Sequence, residues 1–250
     1  MVSIFLQRVA AVPKKVWLVI GFIGLFLLSL SIWMPSDLSQ TAWNMPLSGK
    51  VIVIDPGHGG VDGGAVSRSG VVEKEVTLQI ATYVRDYIQE AGGLVIMTRE
   101  GDYDLAEKGT KGYSRRKSQD LLRRAQMVKE SRADALISIH LNSIPSRRWS
   151  GAQTFYHPQR EENKKLATYI QDEIKGNLQN TSRLPKQRGN IYIIKQVQVP
   201  AVLVEVGFLS NEQEARLMAD EAYQKQMATS IYQGLLRYYV EGEGENAEER

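Results

Sequence analysis

Residues 51–60, VIVIDPGHGG, decide how the rest of the chain is read. Val51, Ile52, Val53 and Ile54 are β-branched and apolar without alternation, so they read as a strand buried on both faces, which Asp55-Pro56-Gly57-His58-Gly59-Gly60 ends in a tight loop. The strand therefore aims His58 from its carboxyl end. A neutral imidazole is a common metal ligand, and flanking glycines let backbone and substrate come close to it. Taken alone, a histidine after a strand is more often an ordinary hydrogen-bonded loop residue.

Outward from this stretch the pattern repeats. Val76, Ile80, Val84, Tyr87 and Ile88 fall at helical spacing over 75–91, and Gly92-Gly93 closes that helix before an apolar strand at 94–97. A polar stretch at 100–117 reads as a long surface loop and 118–131 as a helix. A third strand, 135–139, then delivers His140 and Asn142. Further strands are expected at 150–156, 189–194 and 201–206, and helices at 161–178, 211–218 and 221–240. This order predicts an α/β fold over 49–240: a single domain with a mostly parallel six-stranded sheet flanked by helices.

The amino terminus has another character. Residues 16–34 are uncharged for nineteen positions, close to the ~20 residues a helix needs to cross a bilayer. Arg8, Lys14 and Lys15 precede them and Asp37 is the first charge after them, which places 1–15 in the cytoplasm, a transmembrane anchor at 16–34 and the remainder outside the membrane. A cleaved signal peptide is the rival, but the run is longer than an ordinary h-region and lacks an A-x-A site. Residues 35–48 read as a tether and 241–250, EGEGENAEER, as an acidic disordered tail. The net charge of +3 is accounted for by the three basic residues of 1–34, since 28 basic and 28 acidic residues then cancel over the rest. No basic patch interleaved with aromatics points to nucleic acid. With no cysteine in the chain, a metal would have to be held by imidazole and carboxylate.

Two of the three histidines, His58 and His140, stand just beyond the carboxyl ends of buried strands, where open α/β sheets bind ligands. Glu205 sits inside the apolar strand VLVEV, where a carboxylate costs several kcal/mol unless something compensates it. It is either the partner of a buried cation such as Arg124 or a general base. A catalytic zinc takes three protein ligands and keeps an open position. Asp62, Glu73 and Glu75 follow the glycine loop; Asp62 also suits a turn and Glu75 a helix start, which leaves Glu73 as a candidate. His157 has no partner signal.

DPGHGG at 55–60, VEK at 72–74, SIHLN at 138–142 and VEVGFLSN at 204–211 together resemble the zinc-dependent N-acetylmuramoyl-L-alanine amidases of the amidase-3 type. The similarity covers about 49–240. It implies Zn²⁺ on His58, Glu73 and His140, a catalytic carboxylate at Glu205, and an arginine at Arg124 that is structural or orients a carboxylate. Asn142 either binds a substrate amide or closes a turn. The implied reaction is hydrolysis of the amide between the lactyl group of N-acetylmuramic acid and L-alanine in peptidoglycan. The amino-terminal anchor, the segment at 98–117 and WSGAQTFY at 149–156 are similar to the family's spore-cortex members, which implies a role in germination, muramic-δ-lactam formation by a second enzyme, and a place in the forespore intermembrane space. The rival readings are a zinc peptidase acting on wall stem peptides, which uses the same residue types, and a non-catalytic, membrane-tethered peptidoglycan-binding protein.

Overall fold

The computed structural model describes residues 14–33 and 45–248, without the side chains of 14, 27–28, 30–33 and 243–248. The chain forms two units, Met1–Asn44 and Met45–Arg250. In the first, α1 (Lys14–Trp33) is a helix whose Leu18 and Phe22 are 70% and 80% exposed. Among the described residues no helix is long and apolar enough to cross a membrane, and the expected span at 16–34 falls partly outside them.

The second unit runs β1 (Val51–Pro56), α2 (Glu73–Glu90), β2 (Leu94–Met97), α3 (Tyr113–Glu130), β3 (Ala135–Asn142), β4 (Gln153–Tyr156) and α4 (Glu161–Leu178). It continues through β5 (Lys186–Gln187), α5 (Tyr192–Gln196), β6 (Ala201–Phe208), α6 (Glu212–Met218) and α7 (Glu221–Glu248). The strands form one six-stranded sheet in the order β2-β1-β3-β6-β4-β5. The sheet is mixed, not mostly parallel: β1 pairs β2 and β3 in parallel and β3 pairs β6 in parallel, but β4 lies antiparallel to β6 and carries β5 with it. The cause is the link from Asn142 to Gln153, which contains no helix. A return to the far end of the sheet takes a crossover of a dozen or more residues, so β4 starts where β3 stops and runs back.

The unalternating strands are buried on both faces, as their composition requires. Ile52, Ile54, Ile137, Ile139, Val202 and Val204 pack with α2, α4 and α7 on one side. Val53, Leu136 and Leu203 point to the other side, against Val128 of α3 and Ile193 and Ile194 of α5. That second layer explains the misplaced fifth strand. The apolar residues at 189–194 serve a short helix, which buries Ile193, Ile194 and, just past its end, Val197. A short apolar run does not distinguish strand from helix by its periodicity.

The domain also begins earlier and ends later than its patterning suggests. Leu47 is fully buried and its N–H donates to Ala91 O, so 45–48 belong to the domain and not to the tether, of which 35–44 lie outside the described residues. α7 continues through Val240 to Glu248, so 241–248 of the expected disordered tail are helical, while 249–250 lie outside the described residues.

The tightest helix contact is between α4 and α7. A Cβ on Gly234 would lie 2.4 Å from Ile170 Cα and 2.7 Å from Ile170 N. Backbone cannot yield as a flexible side chain does, so Gly234→Ala must force the helices apart. The expected outcome is a net loss of about 1–3 kcal/mol in chemical denaturation, in spite of alanine's better helix propensity.

Candidate metal centre and active site

β1 ends in a sharply bent backbone. His58 adopts a left-handed conformation with φ 63°, unusual for a residue with a Cβ and worth about 1–3 kcal/mol of strain. Successive carbonyls leave the sheet here, and each is taken by a buried donor. Pro56 O accepts from Arg99 Nε at 3.1 Å and Arg124 Nη1 at 2.7 Å, Gly57 O from Arg99 Nη2 at 2.8 Å, and His58 O from Arg124 Nη2 at 2.6 Å. A Cβ on Gly57 would fall 2.3 Å from His140 Cε1, so only glycine lets that imidazole lie against the loop.

Three of the expected residues converge. Glu73 Oε1 lies 3.1 Å from His58 Nε2 and 3.2 Å from His140 Nδ1, and the three donor atoms lie within 4.8 Å of one another. The two imidazoles stand edge to face, 5.1 Å between centroids. This is the donor set a divalent transition metal prefers, two nitrogens and one carboxylate oxygen, without thiolate. Glu73 reaches it from the first turn of α2. Its Oε1 also accepts Leu141 N–H at 2.9 Å and its Oε2 accepts Ala65 N–H at 2.8 Å. Burial opposes ionisation of Glu73, but His140 and His58 hold it well below the usual carboxylate range.

Of the rival carboxylates, Glu75 is exposed and takes no part in this group. Asp62 supports it from behind: Oδ2 lies 2.9 Å from His58 Nδ1, ion-pair range though outside hydrogen-bond geometry, while Tyr113 Oη donates to Oδ1 at 2.9 Å and Lys117 Nζ lies 3.0 Å from Oδ2.

Glu205 is in register with His140 on the neighbouring strand, so both side chains leave the same face of the sheet. It does not pair with Arg124, whose guanidinium is bound at 2.8 Å to Asp55 and at 2.8 Å to Asp120. Among the described residues Glu205 Oε2 has no hydrogen-bond partner. Burial pushes its carboxyl up to about 7; His140 and His58 oppose the shift and Glu73 adds to it. Asn142 ends β3, half-buried, with its carbonyl accepting Leu209 N–H at 2.8 Å, and its side chain has no hydrogen bond among the described residues. His157 follows β4, which runs backwards, and so lies at the opposite end of the sheet.

Residues 52–237 match the family Amidase_3, N-acetylmuramoyl-L-alanine amidase. The chain belongs to this amidase family. It is 54% identical over 230 residues to the germination-specific N-acetylmuramoyl-L-alanine amidase of Bacillus subtilis, spanning 91% of this chain and 96% of that protein. Among solved structures, the CwlD amidase of Clostridioides difficile, held in complex with the GerS lipoprotein, is 39% identical with a TM-score of 0.74, covering 76% of this chain and 98% of that one. The amidase AmiC2 of Nostoc punctiforme is 28% identical with a TM-score of 0.66, covering 76% and 98%. The amidase core thus coincides with the unit that carries the convergent histidines and Glu73.

Arg99 is the functional residue that sequence patterning misses. It lies two residues after β2, just ahead of the polar stretch at 100–117, yet it is 1% exposed and also donates to Lys74 O at 2.7 Å, joining the backbone beside His58 to the backbone beside Glu73. The only hint is its position directly after an apolar strand.

The raised Glu205 value has a consequence for stability. Its carboxyl ionises at about 7 in the fold against the ordinary 4.5, so the unfolded chain releases that proton first and stability falls as pH rises between those values. The loss is on the order of 3 kcal/mol, at about 1.4 kcal/mol for each tenfold step. In metal-free protein, Glu205→Gln should match wild type near pH 4.5 and denature at a higher temperature above pH 7, as read by thermal melts across that range.

Proposed function

We propose that this amidase uses Zn²⁺ on His58, Glu73 and His140 to hydrolyse the lactyl-to-L-alanine amide of spore-cortex peptidoglycan. The observation that carries the reading is Glu205, whose Oε2 has no hydrogen-bond partner among the described residues, on the same sheet face as the His140 imidazole. Bound to these residues, zinc would supply Lewis acidity, polarising the amide carbonyl and lowering the pKa of water. Glu205 accepts the proton that water loses as it adds to the carbonyl. It then returns that proton to the departing alanine nitrogen, leaving a lactyl carboxylate on the sugar and a free amino terminus on the peptide. Asn142, with its amide free, is placed to orient a substrate amide.

The likeness to the germination-specific relative of Bacillus subtilis supports cortex as substrate and a following enzyme that closes the muramic δ-lactam. The lipoprotein bound in the Clostridioides difficile structure supports an accessory partner of that kind. We also place the domain outside the cytoplasmic membrane, in the forespore intermembrane space, held by the segment at 16–34. Its nineteen uncharged residues, the basic residues before it and the exposed apolar side chains of α1 support that placement.

The catalytic test uses purified cortex and mass analysis of the products with and without a chelator. Wild type should release peptides beginning with L-alanine and leave lactyl carboxylates on the glycan. Cleavage within the peptide would indicate a peptidase. Glu205→Gln should keep zinc and lose about 10²–10⁴-fold in rate, whereas His58→Ala, Glu73→Ala and His140→Ala should each lose zinc. Zinc loss in Glu205→Gln would make that residue a ligand.

Topology is checked separately. Protease added to the outer face of intact forespore membranes should digest the amidase domain; a protected domain would reverse the orientation.

A further inference from the structure

The loop between β3 and β4 starts three residues after His140 and runs up to Gln153, the register partner of Glu205, so it borders the catalytic face at the carboxyl ends of β3 and β6. It carries Trp149, whose side chain is large and apolar yet 53% exposed. An exposed tryptophan by itself needs no explanation. Here, however, the backbone around it is pinned from three directions. Asn211 caps α6 through its Oδ1, while its Nδ2 donates to Arg147 O at 3.1 Å and Trp149 O at 3.3 Å. Gly151 N–H donates to Glu214 Oε1 at 2.7 Å. Arg183 Nη1 donates to the carbonyls of Ser150 and Gly151.

That same guanidinium lies over two rings, 5.7 Å from the centre of Trp149 and 5.2 Å from that of Phe208. Phe208 ends β6, three residues after Glu205 and in register with Asn142. A stack of Trp149, Arg183 and Phe208 therefore runs outward from the strand ends that carry the active site. The cation backs the indole while about half of the side chain stays open to solvent. Fixing a flat aromatic surface before a ligand arrives reduces the ordering cost of binding.

We propose that Trp149, backed by Arg183, is a sugar-stacking subsite that takes a pyranose ring of the glycan strand beyond the muramic residue being cleaved. The negative π face of an indole matches the apolar C–H face of a pyranose, and a polymer lying across the carboxyl ends of β3 and β6 would reach this ring. This inference rests on the amidase reading for its substrate.

The test uses the full-length, zinc-loaded chain in detergent and two substrates: long glycan strands bearing stem peptides, and a single-disaccharide muropeptide. Trp149→Ala should raise KM on the strands about 5–10-fold, the size of one aromatic stacking contact, with kcat unchanged and the muropeptide affected less than twofold. Trp149→Phe should restore most of the strand affinity. Peptide-free glycan titrated against intrinsic fluorescence should change the wild-type signal, and Trp149→Phe should abolish that change although three other tryptophans remain. An unchanged KM on strands, or equal losses on strand and muropeptide, would overturn the proposal, the latter marking a merely structural loop. If wild type released no peptide from either substrate, the amidase reading would fail, and the fluorescence titration would still decide this one: no glycan response sinks it.

Discussion

The site depends on what happens to three consecutive carbonyls, those of Pro56, Gly57 and His58, when β1 leaves the sheet. Each buried carbonyl without a donor would cost about 1–3 kcal/mol, and the bend that creates them also holds His58 at positive φ. Arg99 and Arg124 supply the donors. A buried guanidinium is itself costly unless its charge and its N–H groups are compensated, so each feature resolves the other's cost. Asp55 and Asp120 balance Arg124. Although burial opposes its ionisation, Asp55 is held at about 2 by Arg124, His140 and the hydroxyls of Ser138 and Thr98. Burial and the neighbouring charge of Arg124 draw Arg99 down to about 10, which leaves it charged at neutral pH. The result is a loop whose successive carbonyls are tied to two buried guanidinium groups where it presents His58.

The residues legible in the sequence are those whose place follows from strand patterning. VIVIDPGHGG and ALISIHLN each show an apolar run ending in a histidine, and VLVEVGF shows an acid where none should be without cause. Glu73 was one of three acids until the resemblance singled it out. The fold shows why it serves: only it enters from the first turn of α2 with its carboxylate between both imidazoles. Arg99 is not legible in the sequence, and Asp62 is legible only as a candidate ligand or a turn residue, because their contacts exist only in three dimensions. An arginine just ahead of a polar stretch reads as surface until β2 is seen to lie beside β1. An aspartate before two glycines reads as a turn, which Asp62 indeed makes by accepting Gly64 N–H at 3.1 Å, while its other oxygen faces His58. The direction of β4 was hidden for a related reason: it is fixed by the lack of a crossover helix, not by any residue within the strand.

Glu73 and Glu205 have the same side chain, lie on the same site and meet opposite electrostatic fates. Both are removed from bulk water, which favours the neutral acid. Glu73 lies against two imidazoles, which hold it anionic, and each of its oxygens also accepts a backbone N–H, a state that would suit it to a metal. Gly64 is part of that arrangement, because a Cβ there would meet Glu73 Oε2 at 2.6 Å. Among the described residues Glu205 receives no such donor at Oε2, and burial pushes its carboxyl up to about 7. The neighbours therefore separate the two: His140 and His58 hold one glutamate anionic, whereas burial keeps the other near neutrality, where it can take up and release a proton.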